Sequence, residues 1–226
     1  MQPNEGGGRF RDLTIDEFTA RLASSDPVPG GGSASAIAGA LGASLVVMVA
    51  SLTTGREKYV DHEPMLAWAM DTGRGLSERF LTLADEDAVA YAGFASALKL
   101  PRESEEQITI RTTAMRSAAR RASEVPLDCV EACLVLVETA EALAGRSNPN
   151  AASDVDVAAL LGEAAARGAA ANVLTNLPAT GDPELEGTMT TRVTELLAAI
   201  EDLASQAHEA VASGTRRDPL TPAGRA

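Results

Sequence analysis

Aromatic residues make up only 3% of this 226-residue chain. With few rings to fill it, a core must be packed by Ala, Leu and Val. That favours closely spaced helices over a sheet, where β-branched and aromatic residues dominate. Histidine and cysteine are scarce too, with two of each. So few soft ligands argue against a zinc site, and no metal is expected. Cys129 and Cys133 lie four apart in an apolar helical pattern. They read as two core thiols on one helix face, in a reducing compartment. Cations are outnumbered, 19 Lys and Arg against 32 Asp and Glu, for a net charge of −13. Such a chain lacks the basic footprint that nucleic acid or an anionic membrane demands. Period-2 alternation is missing throughout, which speaks against strands. Residues 1–11 are polar and Gly-rich with no apolar signal core. A cytoplasmic location is therefore expected, with 1–11 disordered.

What the chain does have is an uncharged stretch from Pro27 to Thr54, PVPGGGSASAIAGALGASLVVMVASLTT. Two prolines and three glycines predict a loop that is rigid and then permissive, and Ser33 predicts the N-cap of a long helix. A helix apolar all round is either the centre of a bundle or a membrane span. Small residues at 35, 39 and 43 and at 36, 40 and 44 recur every fourth position. That spacing lets neighbouring backbones approach closely. Without a second such run or flanking basic clusters, the bundle reading is preferred and no membrane partner is expected.

The rest of the chain offers partners for that helix. Thr14 to Glu17 is a capping box opening a short helix to about Ser24. Helices are predicted over Glu63–Leu98, over Ile108 to about Ala144 with a kink at Pro126, over Val155–Asn176 and from about Thr188 to Ser213. Gly145 suits the C′ position. Pro178 to Gly187 reads as a loop and 214–226 as a flexible tail. The expected fold is all-α: an antiparallel bundle of about five long helices around a central apolar one, in a single domain over 12–213.

Several residues stand out chemically. Asp87 is a carboxylate on a stripe of core residues that includes Phe80, Leu83, Ala90 and Phe94. A charge there costs several kcal/mol unless it is paired or has work to do. Arg56 and Lys58 either complement the dipole at the end of the apolar helix or hold an anion. Arg111, Arg116, Arg120 and Arg121 read as a solvated face pairing with acids, and Asp85 and Glu86 as solvated. Asn172 is either a structural hydrogen-bond hub or a ligand contact. The triple glycine lacks the Lys-Ser/Thr of a phosphate loop, the spacing of a dinucleotide loop and the last glycine of a nucleophile elbow.

The motifs do resemble one family. PVPGGGSASAIAGALGASLVVMVASLTTGREKY, DEDAVAY at 85–91, EVPLD at 124–128 and NPNAASDVDVAALLGEAAARGAAANVLTNL at 148–177 resemble the formiminotransferase-cyclodeaminase C-terminal domain family, which includes methenyltetrahydrofolate cyclohydrolases. The resemblance spans about residues 12–205. It implies a homodimeric helical bundle that acts on the one-carbon unit bridging N5 and N10 of tetrahydrofolate. A folate derivative, optionally polyglutamylated, would be the substrate, with no permanently bound cofactor. It implies Asp87 as the first catalytic carboxylate and Asp154 either as the second or as the group that holds the pterin amine. Gly30, Gly31, Gly32 and Ser33 would form a close-approach wall with backbone donors. Arg56 and Lys58 would hold the glutamate tail, and Asn150 and Asn172 would contact substrate.

Overall fold

The computed structural model describes residues 8–220. Residues 1–7 and 221–226, which hold most of the expected disordered start and the end of the expected tail, lie outside the described residues. Among the described residues there are six α-helices and no strand. They are α1 (Ile15–Leu22), α2 (Gly31–Thr53), α3 (Glu63–Leu98), α4 (Glu105–Leu143), α5 (Ala152–Asn176) and α6 (Pro183–Ser213). The capping box at Thr14 forms as expected, with Thr14 and Glu17 bonded reciprocally.

Helix α2 is the hub, packed on α3, α4 and α5. Its small residues let those neighbours in. A Cβ on Gly39 would sit 2.6 Å from the Phe80 ring, so only glycine admits that ring. Phe80 is fully buried there, the largest of the fully buried side chains. The contacts pair Gly32 with Asp87 and Gly39 with Phe80, so α2 and α3 run antiparallel. Gly31 meets Asn172 and Gly42 meets Ala158 and Leu161, so α5 is antiparallel to α2 as well. By length and hydropathy both α2 and the stretch around α5 are long and apolar enough to cross a membrane. Half of the most apolar window of α2 is buried against its neighbours within the fold.

Several expectations are corrected. Helix α2 begins at Gly31 with Gly30 as N-cap, three residues before the predicted cap at Ser33, and Ser33 is buried inside its first turn. Helix α6 begins at Pro183, not near Thr188. Asp182 caps it through Leu185 N–H and proline takes the first position, where it has no intrahelical bond to lose. Asp85 and Glu86 are half-buried and engaged: Asp85 accepts from Phe10 N–H at 2.8 Å, and Glu86 bridges Arg79 and Arg121. The ordered chain therefore reaches back beyond residue 12. The tail is docked as far as residue 218. Arg217 bonds Glu141 and the Gly145 carbonyl, and the buried Arg146 donates to the Asp218 carbonyl at 2.7 Å. Gly145 takes the left-handed conformation expected of it, at φ 72°.

Helix α4 runs through Pro126 without interruption. Proline has no N–H, so the Ala122 carbonyl one turn earlier loses its helical partner. The Asn176 side chain supplies the missing donor, with Nδ2 at 2.7 Å from that carbonyl. This bond ties the end of α5 to the middle of α4. Cys129 and Cys133 are buried free thiols one turn on, on one face as expected.

Candidate active site

A cavity of about 330 Å³ opens where the N-terminus of α2 meets α3, α4 and the C-terminal end of α5. Pro27, Val28 and Gly30–Gly32 form one wall. Asp87, Ala90, Tyr91 and Phe94 of α3 form the second, Ala119 and Ala122 of α4 the third, and Asn172, Thr175 and Asn176 of α5 the fourth. Tyr91 and Phe94 follow Asp87 at i+4 and i+7, so one face of α3 carries a carboxyl group and two rings. That face suits a flat heteroaromatic ligand.

Asp87 is set into the wall by glycine. A Cβ on Gly32 would lie 2.2 Å from Asp87 Oδ1, so no larger residue fits without displacing the carboxyl group. Ser33 lies behind, fully buried, with Oγ 2.8 Å from Asp87 Oδ2 and 3.1 Å from the Ala84 carbonyl. No side chain caps α2, so its first N–H groups are orphaned by helix geometry. Burial raises the Asp87 pKa above its ordinary value, and hydrogen bonding from Ser33 pulls it part of the way back. A carboxyl group whose proton is held more firmly than usual can serve in turn as proton donor and acceptor.

Asn172 and Asn176 each use Nδ2 on a backbone carbonyl, Gly168 at 2.9 Å and Ala122 at 2.7 Å. Their carbonyl oxygens are left as acceptors, matched to amino and ring N–H donors. Among the fifteen lining residues there is one carboxyl group and no Lys or Arg. The arrangement can cradle a planar donor-rich ring and move one proton beside it.

The structure thus brings together Gly30, Gly31, Gly32, Asp87 and Asn172, with Ser33 behind Asp87 instead of on the cavity surface. It does not bring Arg56, Lys58, Asn150 or Asp154 to this cavity. Arg56 and Lys58 follow the far end of α2, about 33 Å along its axis from Gly31. Asp154 sits in the first turn of α5, and the loop before it packs on α2 through Asn148 N–H to Thr53 Oγ1 at 3.0 Å. Lys58 instead lies 5.4 Å from the centre of the buried Tyr59 ring, with Arg216 at 5.6 Å. Tyr91, Phe94 and Asn176 were missed as site residues. The i+4 and i+7 spacing from Asp87 was the available signal for the first two. Among the described residues no cluster of three His, Cys, Asp or Glu is placed to hold a metal ion.

Residues 14–213 match the family described as Formiminotransferase-cyclodeaminase. The chain belongs to that family. It is 39% identical over 163 residues to a methenyltetrahydrofolate cyclohydrolase of Methylorubrum extorquens, an alignment covering 72% of this chain and 78% of that one. It is 32% identical over 186 residues to the formimidoyltransferase-cyclodeaminase of Rattus norvegicus, covering 82% of this chain but 34% of that longer protein. The crystal structure of formiminotetrahydrofolate cyclodeaminase from Thermotoga maritima superposes with a TM-score of 0.82 at 28% identity, covering 90% of this chain and 98% of that one. The all-α fold and the family resemblance expected from the sequence both hold.

Proposed function

We propose that the chain is a folate one-carbon enzyme that acts on the carbon bridging N5 and N10 of tetrahydrofolate, as a 5,10-methenyltetrahydrofolate cyclohydrolase. The observation that carries the reading is the half-buried Asp87, of raised pKa, beside an acceptor-lined cavity walled by Gly30–Gly32. The 39% identity to the Methylorubrum cyclohydrolase favours ring opening. In that direction water attacks the methenyl carbon while the Asp87 carboxylate takes the water proton. The C–N5 bond then breaks with its electron pair on N5, the Asp87 proton follows, and the carbinol O–H is lost to solvent, leaving the formyl group on N10.

The likeness to the Thermotoga cyclodeaminase supports a second reading. There N10 attacks the formimino carbon, Asp87 removes the N10 proton, and the same proton goes to the amino group that leaves as ammonia. One carboxyl group of tuned pKa serves both reactions. The folate is substrate in either case, and side chains alone carry the proposed steps, with no resident cofactor or metal. We place the enzyme in the cytoplasm, a reading that the free buried thiols Cys129 and Cys133 suit, and expect it to work as a homodimer without nucleic acid or membrane.

The test offers purified protein 5,10-methenyl- and 5-formiminotetrahydrofolate in parallel, following the methenyl absorbance and ammonia. Loss of methenyl absorbance without ammonia supports the cyclohydrolase. Gain of absorbance with equimolar ammonia supports the cyclodeaminase. Turnover of neither refutes both.

A further inference from the structure

Pro126 costs α4 one helical hydrogen bond, and it does so beside the Asp87 cavity. Proline lacks an N–H, so the Ala122 carbonyl finds no donor in its own helix. Ala122 lines the cavity. The donor that reaches its carbonyl comes from 54 residues away: Asn176 Nδ2, at 2.7 Å. Asn176 lines the cavity as well.

This bond fixes which way the Asn176 amide faces. With its NH2 group held on the Ala122 carbonyl, a flip of the amide would set oxygen against oxygen. Oδ1 is therefore the free end. Among the described residues no donor meets Oδ1, and it is not sealed away from solvent. The backbone beneath is fixed too. Asn176 ends α5, Leu177 N–H bonds back to the Val173 carbonyl, and Leu177 is buried.

Asn172, one turn earlier on the same face, holds its own NH2 group on the Gly168 carbonyl at 2.9 Å. It stands beside the start of α2, with Nδ2 3.7 Å from where a Cβ on Gly31 would lie. The first N–H groups of α2, at Gly31 and Gly32, have no intrahelical acceptor. The cavity thus sets two amide acceptors next to backbone donors. A 2-amino-4-oxopyrimidine edge carries the complement: an amino group and a ring N–H, then a carbonyl oxygen.

We propose that Asn176 is a specificity-determining residue whose Oδ1 accepts a hydrogen bond from the pterin 2-amino group, and that Pro126 positions it by leaving the Ala122 carbonyl open to its NH2 group. The inference rests on the folate reading for its ligand, and it adds which edge of the pterin is read and by what. If the same bond served only to tie α5 to α4, it would set stability and leave the choice between ligands untouched.

The two roles are separated by ligand preference. The probes are 5-formyltetrahydrofolate and its analogue with a methyl group in place of the 2-amino group, similar in shape but without the donor. In calorimetry the wild type should bind the amino form at least about tenfold more tightly, because the analogue leaves Oδ1 unpaired. Asn176→Ala should bind the amino form about tenfold more weakly and distinguish the two by less than about threefold. Pro126→Ala returns a backbone N–H to the Ala122 carbonyl and releases the Asn176 NH2 group. Its preference should fall by about threefold or more although Asn176 is still present. Where Asn176→Ala melts too low for the measurement, Asn176→Ala/Pro126→Ala takes its place, since the backbone then satisfies that carbonyl. In turnover of 5,10-methenyltetrahydrofolate, Asn176→Ala should raise KM about tenfold and hold kcat within about threefold, as loss of uniform binding requires.

A wild type that binds no 5-formyltetrahydrofolate, or binds both probes alike, overturns the proposal. So does a wild-type preference kept by Asn176→Ala, by the double variant or by Pro126→Ala, and so does a fall in kcat at unchanged KM. If the wild type turns over neither folate, the functional reading fails while the binding preference still decides the role of Asn176.

Discussion

The closest test of the site is Gly32→Ala. The added Cβ would stand 2.2 Å from Asp87 Oδ1, 2.6 Å from Cγ and 2.8 Å from Oδ2. Carbon atoms pack at about 3.5 Å or more, so the carboxyl group must retreat by about 1 Å. It has little freedom to do so. The Asp side chain is short, its backbone is fixed in α3, and Ser33 Oγ holds Oδ2 at 2.8 Å. Retreat forces an off-rotamer torsion, costing about 0.5–1.5 kcal/mol, and weakens a bond to a charged group worth about 1.5–3 kcal/mol. Alanine returns up to about 1 kcal/mol in helix propensity. The net loss of stability should be about 1–2 kcal/mol. The catalytic loss should be larger, because a reacting group misplaced by about 1 Å can cost on the order of 100-fold.

The assay is kcat/KM on methenyltetrahydrofolate beside a denaturant melt of the same sample. Gly75→Ala on α3 is the control: its Cβ meets nothing within 4 Å, so it should raise stability by up to about 1 kcal/mol and leave turnover alone. Gly32→Ala that melts normally and keeps kcat/KM within about threefold of wild type would refute the argument that this glycine sets the position of Asp87.

Three further outcomes follow from the same geometry. Ser33→Ala removes the hydroxyl that lowers the Asp87 pKa, so burial should push it further up; the limb of the kcat/KM profile that requires ionised Asp87 should move to higher pH, and an unmoved limb would detach Ser33 from Asp87. Asp87→Asn should lower turnover by about 10²–10⁴ yet raise the melting temperature at pH 8. A raised folded pKa means that the native state binds more protons than the unfolded one, so wild-type stability falls as pH rises from the unfolded pKa through the folded one, and the gain of the Asn variant should vanish below about pH 4. Asn176→Ala leaves the Ala122 carbonyl without its donor and should cost about 1–3 kcal/mol in a urea melt; adding Pro126→Ala restores a backbone N–H to that carbonyl, so a double-mutant cycle should show the Asn176→Ala cost largely rescued, and strict additivity would count against the bond.

How much of this was readable in the chain depends on the distance over which each feature is determined. The long helices were visible because their apolar residues repeat locally, and the Thr14 capping box because it closes within four residues. The start of α6 reads as loop because Pro178 to Gly187 is dense in proline and glycine, although Asp182 is a cap and proline favours the first helical position. The start of α2 was misplaced because Ser33, a good cap by type, is used instead against a carboxyl group 54 residues away. No local pattern announces such a bond. The same limit governs the site. Asp87 was conspicuous as one charge on an apolar stripe, and Asn172 as an amide on an apolar helix. Sequence motifs carry no record of which end of a helix they occupy relative to one another, so Arg56, Lys58, Asn150 and Asp154 were grouped with them. The rigid length of α2, about 33 Å, is what parts the two groups within one chain.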